Sequence, residues 1–383
     1  MRRLLLVLND PLDYRLNRRG LALAARRAGW DVHLAAPEMP GAELVRGDGF
    51  PFHPIQLHPR GLRPDHEIAA VHCLVRLLTR LRPDVLHLRA VKLCLLGGLA
   101  ARICESRPAV VSHFCGLGYM FAGGSARSAL RLALSPAWRM ALSLPHQVVV
   151  VQHAADRDRL VADRLVRPSQ VRIVPGSGVD TARFQPRPEP PLPFTVVLPG
   201  RLLRAKGVAT FAAAAPLAAA VGIRFVLVGG EAQDNPDSIP RRELDEWLTN
   251  GALAWWGERK DMPAVYAESH AVCLPSTYGE GIPKIALEAA ACGLPLVLAD
   301  APWSRATFRD GKEALLVRPG DHRALADAVV LLAKSPELRQ HMARRLRQRA
   351  ETEFTEGNIN NSFLSLYAHV EKRSFHDSDV YPL

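Results

Sequence analysis

The stretch CLPSTYGEGIPKIALEAAACGLPLVLAD, from Cys273 to Asp300, decides the fold class. CLPS closes a short apolar run that reads as a buried strand, and TYGEG is a glycine-containing loop. Pro283 suits the first turn of a helix, where its missing N–H would have had no partner. The helix reads KIALEAAAC and stops at Gly293, and PLVLAD is the next strand. Strand, crossover helix and strand in so short a span form a βαβ unit with parallel strands. Two glutamates sit in it, Glu280 before the helix and Glu288 inside it. They are either solvated charges or a pair that grips a ligand.

The same alternation extends outward. LLLVL (Leu4 to Leu8), the helical RRGLALAARRAG (Arg18 to Gly29) and the strand DVHLAAP begin it, and repeats continue to about Pro175. RFQPRPEPPLPF, Arg183 to Phe194, holds five prolines in twelve residues and can continue neither a helix nor a central strand. The alternation then restarts with TVVLPG, a helix from about Val208 to Ala220, RFVLVGG, and later EALLVRP and a helix from about His322 to Ala333. Repeated βα implies α/β architecture with mostly parallel sheets covered on both faces. The expected organisation is a first Rossmann-like domain at 1–185, a Pro-rich linker at 186–194 and a second Rossmann-like domain at 195–345. A basic helix at 346–372 and a tail at 373–383 complete it.

With 383 residues, 48% hydrophobic and 23% charged, the chain has enough material for two packed cores. Its net charge of +11 attracts anionic partners: nucleic acid, phosphorylated small molecules or acidic lipid. The six cysteines form no CxxC pair and no zinc spacing, so they read as buried thiols. MRRLLLVLND reads as a first strand rather than a signal peptide, and no apolar run reaches membrane-spanning length. No GxGxxG follows the first strand and no GxxxxGK[ST] occurs, which disfavours dinucleotide and P-loop sites. The arginines are scattered without a stacking platform or reading helix, which disfavours nucleic acid.

VVLPGRLLRAKGV places Arg201 and Lys206 just after a strand. Strand C-termini face the ligand crevice in open α/β sheets. A guanidinium fork and a mobile ammonium suit a diphosphate, although two unrelated solvated cations fit the stretch equally well. The N-terminus of the helix after TYGEG, with the N–H groups of Gly281 to Lys284, attracts phosphate at the same crevice. Glu288 lies in apolar surroundings and needs a partner if buried; vicinal hydroxyls such as those of ribose would serve.

GRLLRAKGV, FVLVGG, WWGERKDM, LPSTYGEGIPKIALEAAACGLPLVLAD and EALLVRPGD together resemble the retaining glycosyltransferases of family 4, which have the GT-B fold. HLRAVKLCLLGGLAARI, SHFCGLGYMF and VRIVPGSGVDTARFQP resemble the branch that builds bacterial surface glycans on a polyprenyl-diphosphate carrier, often from UDP-activated N-acetylated hexoses. The resemblance implies two Rossmann-like domains facing each other across a cleft. It implies that Arg201 and Lys206 hold the donor diphosphate, Glu288 the ribose, and Glu280 the donor sugar. Gly281 and Ile282 would offer backbone donors, and Glu258-Arg259 would border the base. NDPLDYRLNRRG after the first strand would form a loop closing over donor and acceptor, and the basic C-terminal helix would cross back to the first domain. His113 would stabilise the donor sugar or orient the acceptor, or serve structure alone.

Retaining transfer of this kind needs no protein nucleophile and no metal. The DxD strings at Asp156–Asp158 and Asp377–Asp379 are read as a helix start and a disordered tail. No tightly bound cofactor is implied. The partners would be a UDP-sugar, a lipid-linked glycan acceptor and an anionic membrane surface on the cytoplasmic face of the inner membrane. Arg127, Arg131, Trp138 and Arg139 are the candidates for lipid contact. Two departures stand out: Ala306 in APWSRAT, where the branch commonly has glutamate, and bulky Trp303 beside it. They keep open a catalytically weak sugar-nucleotide-binding protein.

Overall fold

The computed structural model describes residues 1–58, 63–118, 131–232, 235–249, 251–277 and 279–377, with side chains as far as residue 371. It divides into two compact units, Met1–Ser177 with Glu356–Leu383, and Gly178–Thr355.

The first unit carries a seven-stranded parallel sheet. Its strands are β1 (Arg3–Val7), β2 (Asp31–Ala36), β3 (Phe52–Pro54), β4 (Val85–Arg89), β5 (Ala109–His113), β6 (Gln147–Val151) and β7 (Val171–Ile173), in the order β3-β2-β1-β4-β5-β6-β7. β4, β5 and β6 are buried throughout, as strands covered on both faces must be. The helices Pro64–Leu81 and Val91–Ile103 pack one face through Leu74, Leu78 and Leu93. The other face is covered by Arg19–Arg27 and by the C-terminal helix Glu356–Asp377, whose Phe363, Tyr367 and Val370 join Leu4, Leu6 and Val150.

The second unit has six parallel strands: β8 (Phe194–Pro199), β9 (Ile223–Val228), β10 (Leu253–Trp255), β11 (Ala271–Leu274), β12 (Leu296–Ala299) and β13 (Ala314–Val317). Their order is β10-β9-β8-β11-β12-β13. Val208–Ala219 and His322–Lys334 cover one face through Phe211, Leu325 and Val329. Lys284–Ala291 and Pro336–Thr352 cover the other through Ala286, Leu287 and Leu346. The alanines of Lys284–Ala291 keep that helix thin, so it lies close to both sheet and neighbour.

The divisions differ from the sequence reading in two places. The Pro-rich stretch belongs to the second unit: Glu189 pairs with Arg339 at 2.7 Å, and Arg347 donates to the Phe184 carbonyl at 2.9 Å. The basic C-terminal segment is two helices, Pro336–Thr352 and Glu356–Asp377, because Phe354 turns into the core between them. Beside that break the Val179 N–H donates to the Phe354 carbonyl at 2.8 Å. All six cysteines are free thiols, four of them buried. Among the described residues no helix is long and apolar enough to cross a membrane.

Candidate active site

In both sheets the strand order reverses beside the first strand, between β1 and β4 and between β8 and β11. Such a switch point splays the loops at strand C-termini apart and leaves a crevice for ligand. In the second unit those loops are GRLLRAKG after β8 and PSTYGEGIP after β11. They are tied together. The Thr277 N–H donates to the Ala205 carbonyl at 2.9 Å. Lys206, on the short 3-10 turn Arg204–Lys206, donates to both carboxylate oxygens of Glu280, at 2.8 and 2.9 Å. The Glu280 side chain is 8% exposed and that of Lys206 22%, so the pair is shielded but reachable. Gly207 turns the chain at φ 76° into the helix Val208–Ala219, and a Cβ there would overlap the Pro275 carbonyl. Only glycine permits both that dihedral and that approach. Arg201, by contrast, is exposed and makes no ion pair with the described residues.

Glu288 is 8% exposed on the helix Lys284–Ala291. The partner its burial demands is Tyr266 of the helix Met262–Ala267, whose hydroxyl donates to Glu288 Oε2 at 2.9 Å. Burial and the adjacent carboxylate raise the Tyr266 pKa, which keeps the phenol a donor. Nothing in the order of residues points to this pairing, since Tyr266 lies on another element. Pro283 has extended ψ and caps the helix instead of forming its first turn. Gly281 and Ile282 are buried just before it. Arg259 is half-buried and pairs with Glu268 at 3.5 Å, while Glu258 is exposed, its carboxylate against Gly230. A separate groove in this unit, lined by His270, Gly293 and Pro295, lies at the opposite, N-terminal ends of the strands.

His113 closes β5 in the first unit and is completely buried. It does not stand alone. Arg18, 1% exposed, approaches His113 Nδ1 at 3.4 Å, and His87 Nε2 approaches the same atom at 3.2 Å. Arg89 pairs with Asp13 and lies on the Cys115 sulfur. The segment expected as a loop is helical instead: Pro11–Asp13, a π-turn Tyr14–Arg18, then Arg19–Arg27. Asp10 starts it by accepting from the Leu12 N–H at 2.8 Å, and the Tyr14 hydroxyl anchors it on Asp48 at 2.6 Å. The sequence concealed this cluster because its members come from four elements.

Three other expectations need correction or placement. Trp138 is fully buried against Phe114, so its ring is not a lipid contact. Arg131 pairs with Asp163 at 3.3 Å, Arg139 is exposed, and Arg127 lies outside the described residues. APWSRAT is a short helix, Pro302–Thr307, with Trp303 in the core and Ala306 exposed, so the bulk of Trp303 fills the protein interior. Asp156 lies in the first turn of Ala154–Ala162, where burial pushes its carboxyl up to about 7; the second DxD reaches beyond the described residues at Asp379.

Two family models match the chain: Glycosyltransferase Family 4 over residues 19–183 and Glycosyl transferases group 1 over residues 193–335. The chain belongs to glycosyltransferase family 4. Its architecture is the GT-B fold, two doubly wound units of parallel strands. Among curated relatives, an N,N'-diacetylbacillosaminyl-diphospho-undecaprenol alpha-1,3-N-acetylgalactosaminyltransferase of Campylobacter jejuni is 24% identical, over 89% of this chain and 92% of its own length. A UDP-Gal:alpha-D-GlcNAc-diphosphoundecaprenol alpha-1,3-galactosyltransferase of Escherichia coli is 24% identical over 67% of this chain and 68% of its own. The structure of Anabaena Alr3699/HepE in complex with UDP aligns with a TM-score of 0.76 at 18% identity, covering 96% of this chain and 100% of that one. Within this family 4 chain, the second-unit switch point gathers Lys206 and Glu280 and places Arg201 on the same loop as Lys206. Glu288 is held by Tyr266, and Arg259 by Glu268. His113 belongs to the first unit.

Proposed function

We propose that this family 4 glycosyltransferase moves a sugar, an N-acetylated hexose, from a UDP-sugar to a polyprenyl-diphosphate-linked or related surface-glycan acceptor, with retention at the anomeric carbon and without a metal. The observation that carries the reading is the Lys206–Glu280 pair, which fixes a cation and a carboxylate together between the two switch-point loops. The relatives named above, which act on diphospho-undecaprenol-linked sugars, support the acceptor class.

The acceptor hydroxyl attacks C1 from the face that the diphosphate leaves. The C1–O bond breaks with its electron pair going to the diphosphate, and a diphosphate oxygen takes the acceptor's proton. Arg201 and Lys206 supply the positive charge that this developing anion needs, a role a divalent cation has elsewhere. Glu280, already hydrogen-bonded to Lys206, lies beside the reacting sugar. Glu288 holds the ribose, its carboxylate oriented by the Tyr266 hydroxyl. Arg259 borders the base, and the Gly281 and Ile282 N–H groups face sugar or phosphate. His113 hydrogen-bonds the donor sugar or the acceptor, which requires the cover of its buried ring to shift. The exposed Arg139, Leu132 and Met140 form the lipid-facing surface of a peripheral enzyme.

A panel of UDP-sugars tested for binding and hydrolysis, then for transfer to carrier-lipid extracts with and without EDTA, checks the reading. Product of retained anomeric configuration is expected from one N-acetylated donor, undiminished by EDTA; no UDP-sugar bound at all would end it. Glu288→Ala is expected to weaken UDP binding by about tenfold, the loss of one or two hydrogen bonds, in calorimetry. Equal affinity in variant and parent would remove the ribose role. Arg201→Ala is expected to lower turnover by about tenfold to a hundredfold with the melting temperature unchanged, because the side chain is exposed and makes no ion pair with the described residues. Flotation with anionic but not neutral vesicles is the expected outcome for the lipid contact.

A further inference from the structure

A hydrogen-bonded chain runs through the first unit from the C-terminal helix to the end of β5. Tyr367 Oη lies 2.6 Å from His87 Nδ1, His87 Nε2 lies 3.2 Å from His113 Nδ1, and Arg18 Nη2 lies 3.4 Å from that same Nδ1. A neutral imidazole has one N–H and one lone pair, so the tyrosine and two histidines alone allow two proton assignments. Arg18 decides between them. A guanidinium only donates, so His113 Nδ1 must accept. His87 Nε2 then donates to His113, His87 Nδ1 accepts, and the Tyr367 hydroxyl donates. The single proton of His113 is left on Nε2.

That Nε2 is buried and has no partner among the described residues. A buried donor without an acceptor is destabilising, so its retention points to a partner that a ligand supplies. The Phe363 ring packs on both His113, at 5.0 Å, and the Arg18 guanidinium, at 5.0 Å, which holds the imidazole and its partner in register. Burial, with Arg18 and Arg89 nearby, pulls both imidazole pKa values well below their ordinary value, so neither ring is cationic at neutral pH.

We propose that Arg18 is a positioning residue: its donation to Nδ1, beside that of the His87–Tyr367 chain, holds His113 as the neutral Nε2–H tautomer, a hydrogen-bond donor to a hydroxyl, ether or amide oxygen of the bound sugar or acceptor. The ligand in this statement rests on the function proposed above, while the relay itself does not.

The test is two-bond 1H–15N correlation on the full-length protein with labelled histidine, assigned with His87→Gln and His113→Gln. From about pH 6 to about pH 8, His113 is expected to show a protonated Nε2 and a bare Nδ1, and His87 the same. An Nδ1–H tautomer or an imidazolium at His113 in the parent protein overturns the proposal without any variant. Arg18→Met is expected to give mixed tautomers at His113 and a kcat lower by about tenfold, with the KM for the UDP-sugar within about twofold, the rate equivalent of one hydrogen bond. Unchanged tautomer signals and unchanged kcat in a folded Arg18→Met protein also overturn it. Arg18→Lys keeps a donor-only cation toward Nδ1 and should retain the tautomer, whereas Arg18→Met should not. The expected tautomers in a protein that transfers from no UDP-sugar would support the relay and overturn the proposed reaction instead.

Discussion

Lys206→Ala is expected to cut turnover by about a hundredfold to a thousandfold, the range seen when one pre-placed stabiliser of transition-state charge is removed. The ammonium contacts both oxygens of Glu280, so the substitution takes away the diphosphate's cation and releases the carboxylate at once. Stability is expected to fall too, by about 1–3 kcal/mol, less than for a fully buried pair because 22% of the lysine side chain is exposed. The two effects can be separated. The double variant Lys206→Ala, Glu280→Gln also removes the carboxylate's charge and should recover most of the melting temperature while turnover stays low. Turnover unchanged in Lys206→Ala would exclude Lys206 from the reaction.

Gly229→Ala is expected to destabilise the second unit by about 4 kcal/mol, adding backbone strain to overpacking. Gly229 lies at φ 150°, and a Cβ there would overlap the Gly200 carbonyl oxygen at the end of β8. The surroundings are backbone, with the Gly229 N–H on the Gly257 carbonyl at 2.8 Å and the Trp255 indole donating to the Gly229 carbonyl at 2.9 Å. No flexible side chain can move aside. For a unit of this size the melting temperature should drop by about 10 °C. Gly222→Ala is the control: its φ is 72° but nothing lies within 4 Å, so only dihedral strain of about 1 kcal/mol is expected. Equal drops in the two variants would show that the approach of the β8 and β9 ends is relaxed cheaply.

The parallel α/β architecture was legible because its signals are local. Apolar runs such as LLLVL, Gly293 after KIALEAAAC and Pro at helix starts each restrict the backbone within a few residues. The helices expected at about 208–220 and 322–333 are Val208–Ala219 and His322–Lys334. NDPLDYRLNRRG, a loop by the family resemblance, is helical because Asp10 caps and Pro11 opens its first turn. The Pro-rich stretch was read as a linker from composition, while its place in the second unit depends on Arg339 and Arg347, far along the chain.

The sequence by itself determined the repeated βα order, the family, which loops carry Arg201, Lys206 and Glu280, and which helix carries Glu288. Those follow from residue types at short spacing. Only the tertiary structure decided the pairings. Glu280 meets Lys206 because β8 and β11 are neighbours at the switch point, although the two residues are 74 positions apart. Glu288 finds Tyr266, and His113 joins Arg18, His87 and Tyr367, across separations up to the 280 positions between His87 and Tyr367. Burial forces each of these polar groups to find a partner, but which partner depends on how sheets and helices stack, and that is a property of the packed chain.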